Sequence, residues 1–585
     1  MKKWNLSALY PSFDSDEFQT ALVTIEGKID AQIKFALEEL KTTDNALVKI
    51  KSYLENSESL RSLFITASAF CRLTISVDAM NEDAKKYMNK MMQLSSKTTL
   101  ASTIFSKWLP KVENLDELIE SDELLKEAQF SLKRIVEGAK YVLSDNEEMV
   151  ISKFKQTSSA AWSQLQGELT STVKVNYRGK EITLSEARNL SSNKDPEVRK
   201  DGYLAELEAY PKIAQSVAYA MNGVKGEVNM LSELRGFESP LDQAVYNSRM
   251  KRSTLDALIS SMREYLPHFH RYIKRKAKLL GHDESIPYYD LYAPVGESSR
   301  KFSEQEAMEF IFENFKTFSP ELEGLAKRAW KEDWIDFTPR MGKRGGAFCS
   351  NLHPIKQSRI LTNFTGSFSN VITLAHELGH AYHGDQIFKE KGFNASYTMP
   401  VAETASTFCE TIVKNAALKD ADKQEKIFIL EQSLKGSTAV IVDILSRFIF
   451  ESNVFNKRKV TPLNTRMLNE MMKAAQKEAY GDSLDENILM PYAWLNKPHY
   501  YIGGLSFYNF PYAFGLLFAK GIYAEYIKNG PDFVSKINLL LQKTGQNTVE
   551  DVASLVGLDI SSKEFWNSSL DVIVKEIDLF LELTE

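Results

Sequence analysis

The sequence predicts a mainly α-helical protein with a small β-sheet near its candidate site. Apolar residues recur at spacings of three and four near the start, at Leu22, Ile25, Ile29 and Ile33, as on one face of a helix. Residues 45–155 continue this pattern, and they are rich in Lys and Glu and poor in Gly and Pro. Alternation of the β type is confined to two short segments, so we expect helices to dominate.

The first elements can be placed from local signals. Asp14 followed by Glu17 resembles a capping box, which predicts the start of the first helix there. A β-hairpin is predicted over residues 171–184, where apolar residues alternate on both sides of an Arg178-Gly179 turn.

A helix start at Asp195-Pro196 suggests where the chain divides. Asp195 is a suitable N-cap and Pro196 suits the first helical position, so a long helix is predicted to run to about residue 220. We place a domain boundary here, between an N-terminal helical domain of residues 1–195 and a second domain of residues 196–585. No linker sequence marks the boundary, so the two parts are expected to pack closely.

The second half contains the other β-like segment. Residues 335–368 are rich in Gly, Thr, Ser and Asn, and residues 358–364 have the character of a strand. From residue 370 onward the pattern returns to helices. The small sheet is therefore expected just before the histidine-rich segment described below.

Composition and charge are those of an ordinary folded protein. The chain has 585 residues, of which 43% are apolar and 26% charged, with a net charge of −6. An acidic balance argues against a nucleic-acid or anionic-membrane partner, because binding phosphates needs a basic surplus.

The start of the chain and its cysteines predict a cytoplasmic location. Asn5, Ser7 and Asp14 interrupt any early apolar run, so no signal peptide is expected. No uninterrupted apolar run reaches about 18 residues, so no membrane helix is expected either. Three scattered cysteines fit a reducing compartment where thiols stay free. The oligomeric state is left open.

Three of the eight histidines lie in the octapeptide His376-Glu377-Leu378-Gly379-His380-Ala381-Tyr382-His383. The surrounding segment is apolar nearly all round, which predicts a buried helix whose polar groups need partners. At about 100° per residue, His376 and His380 lie one turn apart and can both reach one ion at about 2.0–2.1 Å. Glu377 lies too far round to ligate that ion, but close enough to hold its bound water.

A catalytic zinc site needs a third protein ligand and one open position. The next predicted helix has Pro400 at its first position and offers Glu403, so we expect one Zn2+ per chain held by His376, His380 and Glu403. Glu410 lies on the same helix face as Glu403. It is either an acceptor for the N–H of a ligand histidine or a surface acid.

His383 is interpreted as a histidine near a helix end and not as a ligand. It lies on a neighbouring face of the helix. A second class of zinc proteases has a third histidine six residues after the second one, but here that position is Gln386.

The expected chemistry is hydrolysis by a metal-activated water. Zinc lowers the pKa of its water, and Glu377 would take the proton and pass it to the leaving amine. Residues 497–515 hold a histidine and four tyrosines around a Gly-Gly pair. Such segments are usually core packing, but beside a zinc site without an oxyanion donor, His499, Tyr508 and Tyr512 are candidate donors.

The chain resembles the thimet oligopeptidase and oligoendopeptidase F family of zinc metallopeptidases. The resemblance is carried by residues 373–381, by Val401-Ala402-Glu403 with Ser406, and by the segment from His499 to Tyr512. A weaker similarity is present at residues 289–294 and 342–348. The resemblance implies two helical halves flanking a deep channel, which admits short unfolded peptides and excludes folded proteins. It also implies that residues 358–364 line the channel edge and pair with the substrate backbone.

The family's histidine and tyrosine donors correspond to His499, Tyr508 and Tyr512. The spacing leaves the donor pair open among Tyr500, Tyr501, Tyr508 and Tyr512. We therefore expect a zinc-dependent endopeptidase that acts on short peptides.

Two alternatives remain at this point. The first is a zinc carboxypeptidase or dipeptidyl carboxypeptidase of related architecture, in which Lys343 or Arg344 would hold the C-terminus of the substrate. The second is a non-catalytic helical binding protein with a structural metal. Glu377 argues against it, because a structural site fills its fourth position with protein.

Overall fold

The structure is a computed structural model that describes residues 2–297 and 300–585. Helices dominate these residues and the strands form two small sheets, so the predicted mainly α-helical class is confirmed. The helices are α1 Asp16–Glu39, α2 Ala46–Val77, α3 Glu82–Trp108, α4 Leu115–Ser121, α5 Glu123–Glu127, α6 Gln129–Ala139, α7 Asp145–Thr157, α8 Ser159–Thr172, α9 Leu184–Asn189, α10 Pro196–Ala209, α11 Pro211–Leu234, α12 Pro240–Asn247, α13 Arg252–Leu279, α14 Glu304–Phe318, α15 Pro320–Lys331, α16 Phe368–Ile387, α17 Met399–Ala402, α18 Thr404–Asp420, α19 Lys423–Thr438, α20 Ile444–Arg458, α21 Thr465–Tyr480, α22 Phe510–Asn529, α23 Val534–Lys543, α24 Val549–Ser554 and α25 Lys563–Thr584. The strands are β1 Lys174–Tyr177, β2 Lys180–Thr183, β3 Ile335–Asp336, β4 Phe348–Leu352 and β5 Gln357–Leu361.

Helix α1 is capped differently from the prediction. Ser15 is the N-cap, and its hydroxyl accepts a hydrogen bond from the backbone N–H of Phe18 at 3.3 Å. The predicted capping box of Asp14 and Glu17 is therefore wrong by one residue, since Ser15 is the side chain that satisfies the first turn.

Helix α2 is long and apolar enough to cross a membrane, by length and composition only. No membrane helix was expected from the sequence. In the structure it packs against α1 and α3. Its buried residues, among them Phe70, Cys71 and Leu73, join the apolar cluster of the N-terminal helices. Such a position is typical of a core helix in a helical bundle.

The predicted hairpin is present as β1 and β2, which pair antiparallel with Val175 opposite Ile182. Its turn residues Arg178 and Gly179 have φ values of 50° and 78°. Both lie in the left-handed region, as a two-residue hairpin turn of the I′ type requires.

The long helix predicted from Asp195 is interrupted. Asp195 caps α10 by accepting from the backbone N–H of Glu197 at 2.9 Å, but α10 ends at Ala209. Pro211 has no N–H to donate to the preceding turn, so the hydrogen-bond ladder stops and a new helix, α11, begins there. The prediction of one helix to about residue 220 overlooked this proline.

The second sheet has the strand order β3-β5-β4, with β5 parallel to β3 and antiparallel to β4. The strand predicted at 358–364 is β5, and it ends at Leu361. Because β5 is the central strand, its pairing with substrate is contradicted: an added peptide strand would have to join an edge strand.

The largest apolar core extends from Val173 to Phe580, and two smaller clusters lie among the N-terminal helices. The hairpin therefore packs with the C-terminal part of the chain. The domain boundary between residues 195 and 196 stays a prediction.

Candidate metal centre and active site

Helix α16 carries the histidine motif through the interior. Ser367 caps it by accepting from the backbone N–H of Asn370 at 3.3 Å, and the Asn370 side chain reaches back to the backbone N–H of Ser367. The apolar side chains of α16 are buried against α18 and the second sheet, which fixes the orientation of the helix. His376 and His380 consequently face the same side, one turn apart.

Three ligand atoms converge at this point: His376 Nε2, His380 Nε2 and Glu403 Oε2. The two nitrogens are 3.1 Å apart, and they lie 3.4 and 3.5 Å from the carboxylate oxygen. A tetrahedral ion with bonds of about 2.0–2.1 Å requires its ligand atoms to be about 3.3–3.4 Å apart. The three atoms therefore fit three corners of one tetrahedron, and the donor set is that of a catalytic zinc site.

Glu403 occupies a break between two helices. Helix α17 begins at Met399, so Pro400 is at its second position and not its first, and α18 begins only at Thr404. Glu403 lies at the junction with φ −88° and ψ 3°. The Ser406 hydroxyl donates to Glu403 Oε2 at 2.9 Å, which fixes the carboxylate next to the histidines.

Glu410 contacts a predicted metal ligand. Its Oε1 lies 2.6 Å from His376 Nδ1, and its Oε2 accepts from Lys414 Nζ at 2.7 Å. Burial favours the neutral carboxyl, but the positive charge of Lys414 and the hydrogen bond from His376 outweigh it and lower the pKa of Glu410 to about 2. An ionised Glu410 makes His376 Nδ1 the protonated nitrogen, so Nε2 keeps a lone pair for a metal.

Glu377 lies beside the ligand atoms and is only 5% exposed. Burial raises its pKa to about 7, the charge of His376 opposes that shift, and the negative charges of Glu403 and Glu410 add to it. With His376, Glu403 and Tyr512 it lines a cavity of 620 Å3, which extends between α18, α19 and α22.

Of the candidate oxyanion donors, Tyr512 is the one among the described residues that borders this cavity. The Tyr508 and Tyr512 hydroxyl oxygens are 2.6 Å apart. The His499 ring lies 5.5 Å from the Tyr508 ring. Tyr500 and Tyr501 are fully buried and are not among the described residues that line this cavity. The Tyr500 ring lies 4.6 Å from the His499 ring, and the Tyr501 hydroxyl donates to the Trp494 carbonyl at 3.2 Å. The structure thus groups Tyr508 with Tyr512 and separates Tyr500 and Tyr501 from them.

His499 is held as a neutral imidazole. Burial and the positive charges of Arg447, Lys497 and Lys225 lower its pKa to about 3. Arg447 donates to Asn509 Oδ1 at 3.3 Å, so the Asn509 amide presents Nδ2, which donates to His499 Nε2 at 2.9 Å. The hydrogen of His499 is therefore on Nδ1 in this network.

His383 and Lys343 take no part in the site. His383 is fully buried, stacks on Tyr397 and contacts the Thr544 hydroxyl at 2.8 Å. The Lys343 ammonium is completely buried and binds the Asp336 carboxylate at 2.6 Å, so it cannot hold a peptide C-terminus. Arg344 remains exposed.

Three residues that position the site were not predicted from the sequence: Lys414, Arg447 and Asn509. Lys414 follows Glu410 by four positions, a spacing that places them together on one helix face and could have indicated the pair. Arg447 and Asn509 are 62 residues apart, and no local pattern connects them.

The fold and this site define a helical metallopeptidase. Residues 189–571 match the profile of Peptidase family M3, and residues 111–174 match that of Oligopeptidase F. The chain belongs to peptidase family M3 and is a metallo-oligopeptidase.

Relatives with similar sequences span nearly the whole chain. Oligopeptidase PepF of Bacillus subtilis is 25% identical over 99% of this chain and 87% of the relative. Group B oligopeptidase PepB of Streptococcus agalactiae is 25% identical over 98% of this chain and 96% of the relative.

Solved structures share the fold. A putative peptidase from Chlamydophila abortus has a TM-score of 0.85 at 22% identity, with 99% of this chain and 98% of that chain covered. Oligoendopeptidase-F from Enterococcus faecium has a TM-score of 0.71 at 18% identity, with 97% and 98% covered.

Proposed function

We propose that this metallo-oligopeptidase is a zinc-dependent endopeptidase that hydrolyses short unfolded peptides in the cytoplasm. His376, His380 and Glu403 hold one zinc ion, and Glu377 is the general base and acid. The observation that carries the proposal is the spacing of the three ligand atoms, 3.1–3.5 Å, which suits one tetrahedral ion with its fourth position open.

Zinc held by these three residues would lower the pKa of a water molecule and polarise the carbonyl of the peptide bond. The Glu377 carboxylate would accept a proton from the attacking water molecule. It would later deliver this proton to the amine nitrogen as the C–N bond breaks. Its position in the cavity wall beside His376 and Glu403 supports this role. Glu410 holds the His376 ring so that Nε2 faces the metal.

Tyr512 donates a hydrogen bond to the oxyanion that forms at the carbonyl. The Tyr508 hydroxyl, 2.6 Å from that of Tyr512, orients it. His499, a neutral imidazole whose ring lies 5.5 Å from that of Tyr508, is the candidate for a further N–H donor. The cavity of 620 Å3 next to these groups has room for a substrate side chain.

Two measurements test the proposal together. The purified protein should contain one zinc per chain, and a quenched fluorescent peptide blocked at both ends should be cut at an internal bond. Glu377→Gln should retain the zinc and lose on the order of 10²–10⁴-fold in kcat. Unchanged turnover in this variant would contradict the role of Glu377, whereas failure to cut the blocked peptide would favour a carboxypeptidase.

A further inference from the structure

A second cavity shares helix α19 with the active-site cavity, and positively charged side chains line it. Its volume is 390 Å3, and Arg188, Lys435 and Lys497 lie in its wall together with several tyrosine rings. We call it the basic pocket.

The cations of the basic pocket are only weakly paired with acids among the described residues. The side chains of Arg188 and Lys497 make no hydrogen bond or ion pair within the part of the chain that the structure describes. Lys435 Nζ lies 3.9 Å from Glu431 Oε2, but Glu431 already binds Lys276 at 2.7 Å. Burial, followed by the charge of Arg447, lowers the pKa of Lys497 to about 8. The shift arises because a buried ammonium group without a close acid is disfavoured in its charged form.

Glu206 is the only acid among the described residues that line the basic pocket. Its carboxyl accepts a hydrogen bond from the Tyr210 hydroxyl at 2.6 Å. Burial raises its pKa to about 7, although the charges of Arg188 and Lys497 oppose the shift. One partly ionised carboxyl cannot balance three cations, so the pocket keeps a positive charge at neutral pH.

A buried acceptor also lacks a donor here. Asn496 lines the basic pocket, and its Nδ2 donates to the Tyr210 hydroxyl. Its Oδ1 is buried and has no partner among the described residues. An unsatisfied buried oxygen is unfavourable, and a backbone N–H from a bound peptide would satisfy it.

The basic pocket adjoins the active-site cavity along two elements. Lys497 precedes His499 by two residues, and its charge lowers the pKa of His499. On α19, Lys435 faces the basic pocket, whereas Ser433 and Gly436 line the active-site cavity. The two cavities therefore lie on neighbouring faces of α19.

We propose that Arg188, Lys435 and Lys497 form a subsite that binds a carboxylate of the peptide substrate. This inference rests on the proposed function. An Arg and two Lys side chains provide charge-assisted hydrogen bonds to two carboxylate oxygens, and Asn496 accepts from a neighbouring peptide N–H. The carboxylate is either the free C-terminus or an acidic side chain, which have the same chemistry.

The test compares three fluorescent peptides of the same length. One has a free C-terminus and no acidic residue, the second is its C-terminal amide, and the third is an amide with one Glu side chain placed toward the C-terminus. Affinity is measured by fluorescence anisotropy on the Glu377→Gln protein, which needs no turnover, and kcat/KM is measured on the wild type.

The free acid or the Glu peptide should bind on the order of 10-fold more tightly than the plain amide. Which of the two gains affinity identifies the source of the carboxylate. The double variant Arg188→Met/Lys497→Met should abolish the difference in affinity between these peptides. Lys497→Arg should retain it, and Lys200→Met, an exposed lysine on α10, is the matched control.

Equal affinity of the wild-type pocket for all three peptides would overturn the subsite, and so would a preference that survives the double variant. Failure of the proposed function has a different result. In that case no peptide is cleaved, while the anisotropy comparison still reports whether the carboxylate is bound.

Discussion

Gly379 of α16 lies directly against the backbone of Ser406 in α18. A Cβ atom at position 379 would be 2.5 Å from Ser406 Cα and 2.6 Å from the Ala405 carbonyl oxygen. Both neighbouring atoms belong to helical backbone and cannot rotate away. The two helices that carry the candidate ligands therefore approach as closely as they do because residue 379 has no side chain.

Gly379→Ala should separate these helices and lower the stability by about 1–3 kcal/mol. The same displacement should move Glu403 away from the histidines and weaken zinc binding. Denaturant unfolding and zinc titration measure the two effects. Gly27→Ala in α1 is the control, since an added Cβ there meets no atom within 4 Å, and it should not destabilise the protein. Equal behaviour of the two variants would contradict the close contact.

Glu410→Gln should weaken zinc binding about 10–100-fold. The neutral amide must turn its oxygen toward His376 or toward Lys414, so one of these two donors loses its acceptor. Competition with a chelator measures the affinity. Asp420→Asn, an exposed acid at the end of the same helix, should bind zinc as the wild type does. Wild-type affinity in Glu410→Gln would show that the contact with His376 has no effect on the metal.

Tyr512→Phe should lower kcat by about 10²–10³-fold with little change in KM, because its hydroxyl acts on the charge that develops during the reaction. Tyr508→Phe should have a smaller effect, since its hydroxyl reaches the site through that of Tyr512. Steady-state kinetics on one peptide provide the comparison. Tyr526→Phe, on the same helix and bound to the Thr317 carbonyl, should be neutral. A larger loss of kcat in Tyr508→Phe than in Tyr512→Phe would make Tyr508 the direct donor.

Lys225→Met should destabilise the protein by about 3–5 kcal/mol. Lys225 and Glu451 form a buried ion pair at 2.6 Å, with exposures of 1% and 2%, and the substitution leaves the carboxylate unpaired. Adding Glu451→Gln should recover much of the loss, as denaturant unfolding would show. In the exposed pair of Arg466 and Glu470, Arg466→Met should cost less than about 1 kcal/mol. A double variant no more stable than Lys225→Met would mean that packing, not charge, is the cause.

The sequence predicted the elements whose signals are local. The hairpin turn at Arg178-Gly179 and the start of α10 at Asp195 depend on residues next to each other in the chain. Errors occurred where a nearby competing signal was overlooked: Ser15 was the better cap than Asp14, and Pro211 ended the helix. No local sequence signal indicates the strand order of the second sheet. Only the pairing of β3 and β4 with β5 placed β5 at its centre.

The sequence by itself determined the chemistry of the candidate site, because four residues on a helix form one turn and place His376 and His380 on the same side. Tertiary structure decided which distant groups join them. Glu403 reaches the histidines because Gly379 lets α18 approach α16. Likewise, Arg188 and Lys497 are 309 residues apart in the sequence and line the same cavity only through the packing of the segments that carry them. Local spacing is fixed by backbone geometry, whereas contacts between distant segments depend on the packing of the whole core.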